Sequence, residues 1–308
     1  MKRLWWVALK ALLTVGLLLV VLHQVDLRAL PATLSGMGVG AVLAAVFLTG
    51  GAVAVAAVRW HRVLRYLDER VTVRSLLGDT LVGTTYNLIL PTSIGGDVAR
   101  AYRCGRRAAQ ADHAWASVIY ERVMGLLSLV LVSCVGILST FSPGQQQLLL
   151  AASGMAVALA LGIALAPAPF RLAARISRLG AKRAGESLQR VANAFAGPLA
   201  RPAARVETFA WSLLYQLVAL SVLVAAASGW DQPGIYHAIY LGVPIALVAS
   251  TIPITIGGLG LRESLFVAVL QPFGVPADRA FALSMVWLAS NLLVGIAGLV
   301  PLLVGERK

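Results

Sequence analysis

Six stretches of this chain are almost wholly apolar and long enough to cross a bilayer. They lie at 4–22, 39–58, 118–141, 148–165, 209–227 and 281–304. A hydrocarbon core about 30 Å thick needs roughly 20 apolar residues in a helix. Because lipid offers no hydrogen-bond partner to an exposed backbone, such stretches cross as helices. The pattern predicts an all-α polytopic membrane protein in which residues 1–308 form a single integral membrane domain.

Two further apolar stretches run into the same polar phrase. The first phrase is "PTSIGGDVAR" at 91–100, and the second is "PITIGGLGLR" at 253–262, 162 residues later. The proline, the isoleucine, both glycines and the arginine occupy matching positions. Proline removes a backbone donor and glycine weakens a helix, so each phrase predicts a break in a helix.

The basic residues indicate how these breaks are oriented. The net charge is +13, and 22 of the 26 Lys and Arg residues lie in five blocks, at 2–10, 59–74, 100–107, 171–205 and 307–308. The positive-inside rule places all five blocks in the cytoplasm. Each broken stretch must then turn back as a re-entrant hairpin, and both termini are cytoplasmic. Since the charge follows loop position, nucleic acid is not expected as a partner.

This accounting predicts about six full transmembrane helices plus two re-entrant helical hairpins, arranged as an inverted repeat. The halves are 39–141 and 209–304, and 167–208 is a basic cytoplasmic segment that lies on the membrane interface or forms a solvated linker. Inverted repeats with broken helices are typical of transporters. Two kinked helices that merely pack closely are the alternative. If the repeat holds, Gly96 and Gly258 should share one cavity near the midplane.

The repeated phrases carry groups suited to an anion. Arginine guanidiniums and glycine-freed amides are donors that proteins use for phosphate. The candidate ligands of a lipid headgroup are Arg100, Arg262, Gly95, Gly96, Gly257, Gly258, Ser93 and Thr255, with Pro91 and Pro253 as helix breakers. The supporting charged or polar residues are Asn87, Asp97, Glu121, Arg122 and Glu263. Each supporting residue either contacts the ligand or makes a structural cap or ion pair.

Other chemistry finds little support in the sequence. No cysteine–histidine cluster suggests a metal, and no cofactor-binding motif occurs in a fitting context. No nucleophile–base pair is evident either. We therefore expect no metal, no cofactor and no catalytic residue, and a transporter rather than an enzyme.

Four motifs in order carry a family resemblance. They are "RWHRVL" at 59–64, "NLILPTSIGGDVARAYR" at 87–103, "YERVMGL" at 120–126 and "PITIGGLGLRES" at 253–264. Together they resemble the lysylphosphatidylglycerol synthase membrane-region family, also called flippase-like. The family often has Glu where this sequence has Asp97. The resemblance implies a stand-alone member without the aminoacyl-transferase domain.

The function implied by the resemblance is a flippase or exporter. It would move an anionic phospholipid or a lipid-linked headgroup across the plasma membrane, with membrane lipids as its partners. One alternative is an intramembrane lipid-modifying transferase with Glu121 or Asp97 as base. The other is a non-catalytic membrane partner of a separate glycosyltransferase or synthase.

The predicted topology can be tested by labelling single cysteines from each side of the membrane. Cysteines at Arg107 and Lys182 should react from the cytoplasmic side, and cysteines at Gln146 and Asp231 from outside, in a background without Cys104 and Cys134. Labelling of position 107 from outside would contradict the first re-entrant hairpin.

Overall fold

The structure is a computed structural model that describes residues 2–89, 95–139, 154, 182–250, 254–255 and 258–303. The regular structure in these ranges is helical throughout. The helices are α1 (Lys2–Gln24), α2 (Leu30–Met37), α3 (Val39–Tyr66), α4 (Val73–Ile89), α5 (Gly95–Gly105), α6 (Ala111–Ser139), α7 (Lys182–Ala196), α8 (Pro202–Ala227), α9 (Ile235–Ser250), α10 (Leu261–Leu270), α11 (Ala277–Ala297) and α12 (Leu299–Leu303), with 3₁₀ turns at Pro198–Ala200 and Gln271–Phe273. The all-α fold class is confirmed.

Four helical stretches in the described ranges are long and apolar enough to cross a membrane. They are Val39–Tyr66, Ala111–Val135, Pro202–Ala227 and Ala277–Leu303, and they correspond to four of the six predicted spans. The multi-pass character is therefore confirmed. The predicted span 4–22 lies in α1, whose described apolar part, Leu9–Gln24, is shorter. The predicted span 148–165 and the carboxyl-terminal residues 304–308 fall outside the described residues.

Helices α3 and α8 form the centre of the bundle and pack along each other. Both also contact α6 and α11. The largest buried apolar cluster joins the second half of the chain, with Leu220, Ile239, Phe266 and Leu283 fully enclosed. Burial of each such side chain contributes about 1.5–3 kcal/mol relative to water.

Helices α4 and α5 lie antiparallel and very close. The amide of Gly96 donates to the Asn87 side-chain oxygen at 2.8 Å, and Gly96 also packs against the backbone of Gly83. At the other end of the pair, Asp79 accepts hydrogen bonds from Arg103, at 2.9 Å, and from Arg107. The glycines set the separation of the two helices, and the buried carboxylate of Asp79 sets their register.

Helices α9 and α10 form a second close pair. Gly242 faces the carbonyl oxygen of Val269, which leaves no room for a larger side chain. Helix α9 contains Pro244, and α10 begins after Gly260, whose φ of +78° favours glycine. Gly260 and Ser264 lie against α1. The second phrase of the sequence therefore faces the first helix of the chain.

Helix α7 is amphipathic, and protein covers its apolar face. Val191 and Phe195 pack with Val63 and Tyr120, and the rings of Tyr120 and Phe195 meet edge to face at 5.6 Å. The basic positions 171, 175 and 178 that suggested a helix on the membrane surface lie outside the described residues. The described part of the 167–208 segment thus contacts α3 and α6.

The close approach of α4 and α5 predicts that Gly96→Ala destabilises the protein by about 1–3 kcal/mol. A Cβ at this position would overlap the Gly83 carbonyl and lie 2.6 Å from the Asn87 side chain. Thermal unfolding in detergent measures the effect. Gly51→Ala in α3 is the matched control, because its Cβ would meet no atom within 4 Å. Equal stability of the two variants would contradict the packing argument.

Candidate headgroup-binding cavity

A cavity of about 320 Å³ opens between the first close helix pair and the central helices. Helices α3, α4, α5, α6 and α8 supply most of its lining, and α9 and α11 add Leu247 and Trp287. One part of the wall is charged, whereas Leu126, Leu129 and Ala219 line another part. The cavity is therefore amphipathic.

Glu121 is at the centre of the charged wall. Its side chain is fully buried, and its two oxygens accept hydrogen bonds from two different arginines. Arg59 Nε on α3 lies 2.8 Å from Oε1, and Arg100 Nη1 on α5 lies 2.9 Å from Oε2. Arg59 also donates to Ser212 of α8 at 3.3 Å. One carboxylate thus connects α3, α5 and α6, and its partner Arg59 extends the network to α8.

Asp97 extends this network along the edge of the cavity. Its Oδ1 accepts a hydrogen bond from Arg100 Nε at 3.0 Å, one helical turn further along α5. Its Oδ2 accepts from Arg122 of α6. Asp97 sits in the first turn of α5, where a negative charge also stabilises the helix dipole.

Aromatic rings support the two buried guanidiniums. Arg59 lies over the Tyr215 ring at 5.2 Å, and Arg100 lies over the Trp60 ring at 4.9 Å. Such cation–π contacts contribute about 0.5–2 kcal/mol each, more when water is excluded. Trp60 is itself fixed, because its indole N–H donates to Ser117 at 2.8 Å.

The first phrase contributes directly to this cavity. Gly96, Asp97 and Arg100 line it, together with Asn87 and Arg122. Gly95 is buried at the start of α5. Pro91 and Ser93 fall outside the described residues.

The second phrase does not line the cavity in the described part of the chain. Gly258 has a left-handed φ of +76°, and Glu263 accepts a hydrogen bond from the Gly260 amide at 2.6 Å. Glu263 also pairs with Arg262, its neighbour in sequence. The described lining of this cavity includes Gly96 and not Gly258, and a shared cavity for the two glycines stays a prediction. Glu263 holds Arg262 and the start of α10 locally, and Gly260 lies against α1.

Two described residues of the second phrase have buried polar atoms without hydrogen-bond partners. Thr255 is only 2% exposed, and its hydroxyl finds no hydrogen-bond partner. The Nε of Arg262 is also buried without a partner. Buried polar groups are normally paired, so these two atoms are exceptions. Gly257 and Pro253 lie outside the described residues.

Sequence reasoning missed Arg59, Trp60 and Tyr215 as parts of the site. Arg59 was assigned to a cytoplasmic block of charge, but it is 7% exposed and lines the cavity. Arg100 belonged to another such block and is 8% exposed. The signal that pointed to Arg59 was its place in the "RWHRVL" motif. No group of three His, Cys, Asp or Glu residues converges as a metal site within the described ranges.

The buried network predicts that Glu121→Ala is strongly destabilising. Removal of the carboxylate leaves Arg59 without a carboxylate partner and Arg100 with Asp97 alone, which costs about 3–5 kcal/mol. Denaturant unfolding in detergent measures the change. Asp112→Ala is the control on the same helix, because its exposed pair with Arg190 should contribute about 1 kcal/mol or less. Similar losses from both variants would contradict the central role of Glu121.

Comparison with known proteins assigns the chain to a family. The family model for the lysylphosphatidylglycerol synthase TM region matches residues 7–298. No curated protein matches the chain. The family match includes both phrases, the cavity and every arginine of the network. This chain therefore belongs to the lysylphosphatidylglycerol synthase TM-region family, which implies a lipid-related function in the membrane.

Proposed function

We propose that the protein is a flippase or exporter that carries an anionic lipid headgroup through the cavity beside Glu121. The observation that carries this proposal is the amphipathic cavity itself. The guanidiniums suited to a phosphate come from Arg59, Arg100 and Arg122. The wall formed by Leu126 and Leu129 suits the apolar part of a lipid. A headgroup that leaves water needs such donors in place of its lost hydration.

The proposal also rests on an inverted repeat, which helix bounds at a constant offset support. Adding 162 to the bounds of α3 gives 201–228, against Pro202–Ala227 for α8. Adding it to α4 gives 235–251, against Ile235–Ser250 for α9. The same shift carries α6 to 273–301, which contains α11. One shift therefore relates three helices of the first half to three helices of the second half.

The contacts between helices also correspond when each helix is replaced by its equivalent in the other half, α3 by α8, α4 by α9, α5 by α10 and α6 by α11. Within the halves, α3–α4, α4–α5 and α5–α6 contacts correspond to α8–α9, α9–α10 and α10–α11 contacts. Between the halves, α4 contacts α11 while α9 contacts α6, and α3 contacts α11 while α8 contacts α6. Helices α3 and α8 are equivalent in the two halves, and they pack against each other. A pseudo-two-fold relation explains this pattern, and transporters use such a relation for alternating access.

In this scheme the two phrases form two half-sites in different states. The half-site of Arg100 is open to the cavity. The half-site of Arg262 is closed against α1 and holds two buried polar atoms, Arg262 Nε and Thr255 Oγ1, without hydrogen-bond partners. We propose that ligand or water satisfies these atoms when the second half-site opens.

The carboxylates are better suited to positioning than to base catalysis. All four oxygens of Glu121 and Asp97 accept guanidinium hydrogen bonds. A general base must be free to take a proton from its substrate. This arrangement favours transport over an intramembrane transferase. We place the protein in the plasma membrane with both termini cytoplasmic, in accordance with the positive-inside rule.

Transport of fluorescent anionic phospholipid by purified protein in liposomes tests the proposal. Arg100→Ala and Arg262→Ala should each abolish transport. Arg100→Lys should impair it, because lysine keeps the charge and loses the bidentate fork. Arg190→Ala, in an exposed pair outside the cavity, should leave transport unchanged. Wild-type rates from both Arg100→Ala and Arg262→Ala would exclude headgroup binding by these residues.

A further inference from the structure

The charged wall of the cavity is not neutral. Its described lining includes three arginines, Arg59, Arg100 and Arg122, and two carboxylates, Asp97 and Glu121. Three positive charges against two negative charges leave a formal charge of +1. The described lining therefore carries one positive charge that its own side chains do not compensate.

We infer that the cavity is matched to a headgroup with a net charge of −1, a lipid phosphodiester without a cationic group, and that Asp97 and Glu121 set this preference. The inference rests on the proposed function and specifies the headgroup that the site accepts. Such a phosphodiester carries one net negative charge and makes the site neutral. A phosphomonoester carries up to two negative charges above its second pKa of about 6, which leaves the site negative.

Burial makes this difference consequential. The side chains of Arg59, Arg100 and Glu121 are each at most 10% exposed. In such surroundings charges are weakly screened, so a surplus charge is costly. A zwitterionic headgroup with no net charge leaves the original positive charge in place. Net charge is thus a criterion by which the site can distinguish lipids with identical acyl chains.

The arrangement also leaves donors for such an occupant. Arg59 donates from Nε to Glu121 and from Nη1 to Ser212. Arg100 donates from Nε to Asp97 and from Nη1 to Glu121. Within the described residues, neither Nη2 group makes a hydrogen bond. The carboxylates therefore orient both guanidiniums and compensate part of their charge, while donors remain available to a phosphate oxygen.

Binding of three lipids with the same acyl chains tests the inference. Purified, delipidated protein at about pH 8 is titrated with phosphatidylglycerol, phosphatidic acid or phosphatidylcholine, and native mass spectrometry gives the dissociation constants. Wild-type protein should prefer phosphatidylglycerol to each of the other two by at least about tenfold.

Variants that change the charge of the cavity should change this order. Asp97→Asn raises the cavity charge from +1 to +2 with little change in shape. The affinity for phosphatidic acid relative to that for phosphatidylglycerol should therefore rise by at least about tenfold. Glu121→Gln makes the same change and serves if Asp97→Asn fails to fold. Arg122→Gln lowers the cavity charge to zero and should raise the affinity for phosphatidylcholine relative to that for phosphatidylglycerol.

Asp112→Asn is the matched control. It changes the charge of the whole protein by the same amount, on the same helix as Glu121, but it lies outside the cavity lining. It should leave the order of affinities unchanged. Equal shifts from Asp97→Asn and Asp112→Asn, or wild-type binding that does not distinguish phosphatidylglycerol from phosphatidic acid, would overturn the inference.

Failure of the inference differs from failure of the proposed function. If Arg100→Ala weakens binding of all three lipids but wild-type protein does not distinguish them, headgroup binding stands and charge matching is wrong. If Arg100→Ala leaves the affinity of every lipid unchanged, the proposed headgroup site itself is wrong, and the inference fails with it.

Discussion

The fully buried carboxylate of Glu121, held between Arg59 and Arg100, is the interaction on which the rest of the site depends. A lone carboxylate in this position would be very costly, and so would either arginine without it. The pairing makes all three charges tolerable. It also fixes how α3, α5 and α6 meet, because each helix contributes one partner. Ser212 extends the constraint to α8 through Arg59.

The close helix pair of α4 and α5 makes this pairing possible. Gly96 brings the start of α5 against Gly83 and Asn87, so that Arg100, one turn later, reaches Glu121. Asp79 holds the other end of α5 through Arg103. The helix is therefore clamped at both ends by groups on α4. A broken helix at this place positions a charge that a continuous apolar span would leave facing lipid.

The two similar phrases have different roles in this structure because their neighbours differ. Arg100 extends to Glu121 on another helix, whereas Arg262 pairs with Glu263 beside it. A shift of 162 residues carries Glu121 onto Leu283, which is fully buried in the apolar core. Position 283 thus offers no carboxylate to Arg262. In the proposed repeat, equivalent positions of the two halves therefore differ in charge.

The sequence by itself determined the helices, the membrane class, the two breaks and the family, because each depends on short-range patterns of apolar, basic, Pro and Gly residues. It also identified Asp97, Arg100, Glu121 and Arg122 as charges that need partners. Only the tertiary structure decided which partners they have. Arg59 and Glu121 are 62 residues apart in sequence. Their contact exists because α3 and α6 pack at one depth, which no local pattern encodes. For the same reason, counting basic residues placed Arg59 and Arg100 in cytoplasmic blocks, although helix packing buries both beside one carboxylate.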